Sequence, residues 1–154
     1  DCAAGLKQWK QSETSYIALI GGFPKFPNIN EARYGLGLAY QNQNQFDPAK
    51  KAFAEVVKAT TSPTAAKSKY MMGECAFAEK KYKEAYEHFL EAAAGYPDKG
   101  DYREWLSKSH FEAARCFIQL KEVDLARQEL KTVIEKYADF PEAKNAQTLL
   151  ANLK

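Results

Sequence analysis

Hydrophobic positions along the chain follow one pattern three times. Tyr34-Gly-Leu-Gly-Leu-Ala-Tyr40 is followed by Phe46, Ala49 and Phe53. Tyr70-Met-Met-Gly-Glu-Cys-Ala76 is followed by Tyr82, Ala85 and Phe89, and Phe111-Glu-Ala-Ala-Arg-Cys-Phe117 by Val123, Ala126 and Leu130. The landmarks move together, with 36 residues from Tyr34 to Tyr70 and 41 from Tyr70 to Phe111. Repetition at such a period marks units that bury their apolar faces by stacking on one another.

Each copy contains two runs of helical spacing. The alternation Tyr34, Leu36, Leu38, Tyr40 resembles a strand in isolation, but its length, its Ala and Gly content and the helical spacing of its third copy decide for helix. Ala49, Phe53, Val56 and Val57 fall at i, i+4, i+7 and i+8, one face of a helix. The pattern predicts helices over 4–21, 29–43, 48–60, 63–79, 83–95, 102–120, 123–137 and 141–153. Asp47-Pro48 and Ser62-Pro63 read as an N-cap followed by proline at the first helical position. Asn28 with Glu31, and Asp101 with Glu104, have capping-box spacing. Asn44 sits where a left-handed residue would end a helix. Short connections make consecutive helices antiparallel. The exception is 96–101, which holds the five extra residues of the longer step.

The ends fit the scheme as partial copies. Phe26-Pro27 and Phe140-Pro141 stand 114 residues apart, each behind an apolar run, Tyr16…Leu19-Ile20 or Leu130…Val133-Ile134. The expected organisation is one all-α domain over 1–154. It has a half repeat at 4–27, three repeats at 28–63, 64–104 and 105–141, and a terminal helix at 142–154. The incomplete first repeat leads us to expect that the natural protein extends beyond Asp1, the alternative being a lone capping helix at an atypical solenoid end. Such open ends also offer a route to self-association.

Charge adds little: 22 Lys and Arg face 20 Asp and Glu, and the basic residues are scattered, which argues against nucleic acid. The longest apolar run, Tyr16 to Phe23, ends at Pro24 and is far short of the roughly 20 residues of a membrane span. Cys2, Cys75 and Cys116 form no disulfide framework. Asp1 ahead of Cys2 argues against lipidation there. Cys75 and Cys116 fill the position of Ala39 and read as small buried side chains rather than a thiol pair or metal ligands. His88 and His110 lie in different repeats and read as packing or surface residues, and Met71 and Met72 as core filler. No Ser/His/Asp order, phosphate loop or Gly-rich fingerprint occurs. We therefore expect no catalysis, cofactor or metal.

With these landmarks aligned, the chain resembles the tetratricopeptide repeat (TPR) family over nearly its whole length. That family places small residues at the eighth and twentieth repeat positions. Here they are Gly37, Gly73 and Ala114, then Ala49, Ala85 and Ala126, with Phe53, Phe89 and Leu130 at the twenty-fourth. Small residues at a helix crossing let bulky neighbours interlock. The fourth position departs from the pattern, being Arg33, Lys69 and His110. The Phe-Pro-Glu-Ala-Lys ending looks like that of bacterial envelope TPR proteins of the Tol–Pal-associated kind, which inclines the expected location toward the bacterial cell envelope.

The resemblance implies a right-handed superhelix of antiparallel helix pairs, an α-solenoid, acting as a non-catalytic scaffold for a protein or peptide. The alternative it leaves open is an accessory TPR region of a longer bacterial protein. It also implies a concave groove lined by the first helix of each repeat. Carried over position by position, that groove comprises Glu31, Tyr34, Leu38, Gln41 and Asn42, then Lys67, Tyr70, Glu74, Phe77 and Ala78, then Lys108, Phe111, Arg115, Ile118 and Gln119. Tyr34, Tyr70 and Phe111 would form an aromatic stripe, either open to a ligand or packed between first helices. The sixth positions are Gly35, Met71 and Glu112, so the family's carboxylate clamp for chaperone C-termini is missing and a different ligand is implied.

Overall fold

The computed structural model describes residues 2–153, with side chains from residue 5 onward. The side chain of Cys2 lies outside the described residues. Among the described residues there are eight helices and no strand. They are α1 (Cys2–Gly22), α2 (Ile29–Gln41), α3 (Phe46–Ala59), α4 (Pro63–Ala78), α5 (Tyr82–Ala94), α6 (Tyr102–Gln119), α7 (Val123–Lys136) and α8 (Pro141–Asn152). Every helix packs on the next in sequence. In addition α2 touches α4, α4 touches α6 and α6 touches α8, whereas α3, α5 and α7 make no such contact with one another. A stack packed more closely along one side bends toward that side. The concave face therefore belongs to the even-numbered helices.

The crossing of each helix pair follows from its small residues. A Cβ on Gly37 would lie 2.4 Å from the Phe53 ring, and one on Gly73 would lie 2.6 Å from Phe89. Phe53 and Phe89 have no solvent exposure, nor do Ala49 and Ala85 beneath the same crossings. In the third pair Ala114 and Leu130 are fully buried in the same roles. A smaller ring-free side chain there makes room for one methyl group. At the N-terminal end Tyr16 packs against α2, where a Cβ on Gly35 would meet its ring at 2.4 Å.

Each pair turns through the same backbone. Asn44, Lys80 and Lys121 have φ of 58°, 60° and 63°. The following amides, of Gln45, Lys81 and Glu122, donate to the carbonyls of Tyr40, Ala76 and Phe117. This is the Schellman closure of a helix C-terminus, and only the first copy uses a residue suited to the left-handed region.

The expected side-chain caps are a correction. Asn28, Ser62 and Asp101 do stand at N-cap positions, yet no cap hydrogen bond comes from any of their side chains. Glu31 instead accepts from the Thr64 hydroxyl on α4 and Glu104 pairs with Lys108 one turn on along α6, so neither reaches back to its helix end. Helix α3 starts earlier than Asp47, at Phe46, with Gln45 as its N-cap.

The insert in the second copy is shared between loop and helix. The connection grows from residues 60–62 to residues 95–101, and α6 begins two residues further ahead of Phe111 than α4 does ahead of Tyr70. Tyr96 stacks on Tyr102 at 6.1 Å, and the Tyr102 hydroxyl donates to the Thr61 carbonyl. Arg103 ties this segment to the α7–α8 turn through Asp98, Asp139 and the Lys136 carbonyl.

Candidate functional site

The concave face is built from one side of α2, α4 and α6, with the start of α8 beside them. The aromatic stripe divides on folding. Tyr34 is 5% exposed and packs on Phe53 at 5.6 Å, so it is part of the core. Tyr70 packs on Phe89 at 5.4 Å from behind and on Trp105 at 5.6 Å from the side. Phe111 is partly buried against the cluster of Ala114, Leu130 and Val133. The three rings thus anchor the first helices to the second ones, and only Tyr70 and Phe111 keep part of their surface open.

Charged groups lie over these rings. The Lys67 ammonium sits 4.3 Å from the centroid of Tyr34 and 5.3 Å from that of Trp105. Lys108 approaches Trp105 to 4.6 Å from α6 itself. The Arg115 guanidinium lies 4.9 Å from the centroid of Phe77, and its Nη1 donates to both Glu112 oxygens, at 2.9 and 2.7 Å. Each is a cation on an aromatic face, stronger where water is partly displaced.

Next to Arg115 two carboxyl groups share a half-closed space. Glu112 is 9% exposed, and burial pushes its acidity down against the pull of Arg115. Glu74 is pushed up to about 7, mainly by burial and then by the charge of Glu112, with Arg115 and Tyr70 acting the other way. The Tyr70 hydroxyl is also pushed up, by burial first and then by Glu74, Glu112 and Glu142. Glu142, on α8, reaches the Ser107 hydroxyl at 3.4 Å.

The remaining positions are spread along the same face. Glu31, Asn42, Arg115 and Gln119 are exposed, while Leu38, Gln41, Phe77 and Ile118 are half-buried. Trp105, Glu112 and Glu142 belong to the site and were not among the carried-over positions. Trp105 precedes Lys108 by three residues on α6, one turn ahead of where the family's groove positions begin. The matching position in the preceding repeat is Thr64, which also lies in the first turn of its helix and bonds the groove residue Glu31. Extending the i, i+3 stripe one turn backwards from Lys108 would have found Trp105.

Other reactive groups are accounted for by packing. Cys75 and Cys116 are free and fully buried, and burial raises both thiols to about 12, which leaves them unreactive. His110 bonds Glu129 at 2.6 Å beside the Tyr137 ring. His88 lies half-buried near Glu84 and Glu91. Among the described residues no group of His, Cys, Asp and Glu is arranged to hold a metal, and no helix is long and apolar enough to cross a membrane.

Comparison with known proteins agrees with this geometry. A tetratricopeptide repeat model matches residues 34–100 and a second one matches residues 76–150. A search of curated proteins finds no match. Among solved structures, the chain is similar to the nearly identical TPR-like repeats of a Podosopora anserina protein assigned as a kinesin light chain. For that structure the TM-score is 0.67 at 17% identity, covering 98% of this chain and 84% of that one. A point variant of the same repeats gives a TM-score of 0.68, with the same identity and coverage. At that identity the likeness concerns the fold. The two repeat models together span most of the chain, and the eight helices stack as they require: this chain belongs to the tetratricopeptide repeat family, whose repeats generally mediate protein–protein interaction.

Proposed function

We propose that the chain is a non-catalytic scaffold that binds an extended peptide or protein segment along the concave face of α2, α4 and α6. The observation that carries this reading is the set of side chains the packing leaves open there. Trp105 packs against Tyr70 with Lys67 and Lys108 over its ring, and Glu31, Asn42, Arg115 and Gln119 stand exposed along the same face. Aromatic side chains supply contact area at low entropic cost, and charges beside them select among partners.

Photo-crosslinking tests the face. A random-peptide library is panned on the protein, and the selected peptides are offered to variants carrying a photoreactive side chain at Lys67 or Gln119, or at the outer-helix positions Lys58 or Glu87. Crosslinks from the first two and not the last two are expected. Peptides that crosslink from Lys58 or Glu87 alone, or failure to select any peptide, would contradict the reading.

A further inference from the structure

The groove shows how it holds a cation, because it already holds one of its own. Arg115 lies with its guanidinium on the Phe77 ring and both Glu112 oxygens on one of its nitrogens. A carboxylate supplies charge and a ring supplies a flat, polarisable face. Glu74 stands one helical turn after Tyr70 and three residues before Phe77, so two rings flank it on its own face. Tyr70 is extended sideways by Trp105 at 5.6 Å. Among the described residues no cation lies within ion-pair distance of Glu74, since Arg115 is taken up by Glu112. The groups that face it are Tyr70 on α4 and Glu112 and Arg115 on α6, with Glu142 on α8 adding its charge at Tyr70 and Glu112. Glu74 and Glu112 therefore share one guanidinium, which Glu112 holds, and Glu74 is left with the Tyr70 hydroxyl.

Resting on the groove reading above, we propose that the groove selects protein segments carrying one basic side chain, Arg or Lys, which ion-pairs with Glu74 and lays its stem along Tyr70. Lys67 and Lys108, on the Trp105 ring, repel a run of basic residues, so a single cation in a neutral or acidic segment is the fitting partner. Binding also drives a proton off Glu74, because a neutral carboxyl gives no ion pair.

The panned library tests this directly. Peptides that crosslink from Lys67 or Gln119 should carry Arg or Lys at one fixed position. Changing that residue to Gln should weaken binding about tenfold or more, and Glu74→Gln should produce the same loss with no further loss for the Gln peptide. Affinity for the basic peptide should rise as pH increases through neutrality and become flat in Glu74→Gln. If that variant does not fold by circular dichroism, the Arg and Gln peptides compared on the unaltered protein decide the matter. Groove-crosslinked peptides without a fixed basic residue, or equal affinity for the Arg and Gln peptides, would overturn the inference while leaving the groove reading intact. Selection of no peptide, or crosslinks only from the outer helices, would overturn both.

Discussion

The even-numbered helices have two faces with different histories. The face toward the second helices repeats its chemistry: Gly37, Gly73 and Ala114 receive Phe53, Phe89 and Leu130. The groove face does not repeat: Glu31, Lys67 and Lys108 occupy one position, Leu38, Glu74 and Arg115 another. Where volume decides, a change on one helix is answered on the other, as Ala114 with Leu130 answers glycine with phenylalanine. Where only solvent or a partner is met, the repeats diverge. The contrast separates residues that build the stack from those that give it something to bind.

The strongest way to break this contrast is Phe89→Ala. Removing a fully buried ring should destabilise the protein by about 3–5 kcal/mol, read from denaturant unfolding. A loss below about 1 kcal/mol would mean the crossing is not the core of the repeat. Gly73→Ala is more discriminating. Alanine favours a helix by about 1 kcal/mol, but its Cβ would lie 2.6 Å from an unexposed ring, and overpacking costs about 1–3 kcal/mol. A net destabilisation is expected, and Phe89→Leu added to it should recover part of the loss, since that pairing is what Ala114 and Leu130 use. Strict additivity of the two changes would deny that these positions share one space.

On the groove face the expected effect is a gain. The carboxyl of Glu74 holds its proton up to about pH 7, above its ordinary 4.5. The folded protein keeps a proton that the unfolded chain releases, so this group lowers stability as pH rises between those values. Glu74→Gln should therefore become more stable than the parent across that window, by about 1–2 kcal/mol at the upper end, in urea titrations at matched pH. A constant difference between parent and variant across that window would show that Glu74 titrates normally. The smallest effect concerns the turns. Lys80 has φ of 60°, and Lys80→Gly should stabilise by about 0.5–1 kcal/mol in thermal unfolding. A loss would mean that the side chain contributes more than the strain it carries.

The sequence made the stack readable because the repeated face is fixed by volume, and volume leaves a periodic trace. Helix limits fell within two residues of those observed, and Asn44 announced its left-handed turn. Lys80 and Lys121 adopt the same turn without announcing it, because the Schellman hydrogen bonds and the following helix impose the conformation on an unsuited residue. The caps misled for a related reason. Glu31 and Glu104 have capping-box spacing, but in the folded chain Thr64 and Lys108 compete for them. In the groove, spacing identified the face but not its depth. Tyr34 became core because Lys67 covers the ring that Phe53 backs, and Trp105 stands one turn ahead of the carried-over positions on α6. The shared space of Glu74 and Glu112 depends on two helices meeting, which no spacing within one helix encodes.

One thermal-shift experiment on two variants bears on the division between the faces most directly. Melting is followed for Gly73→Ala and Glu74→Gln, neighbours on α4, with and without a peptide selected on the parent protein. A ligand that binds only the folded state raises the melting temperature in proportion to its binding. Gly73→Ala should melt lower without peptide yet keep the peptide-induced rise. Glu74→Gln should melt no lower than the parent yet lose most of that rise. If Gly73→Ala loses the rise while melting normally, or Glu74→Gln melts lower while keeping the rise, the assignment of building to one face and binding to the other is contradicted.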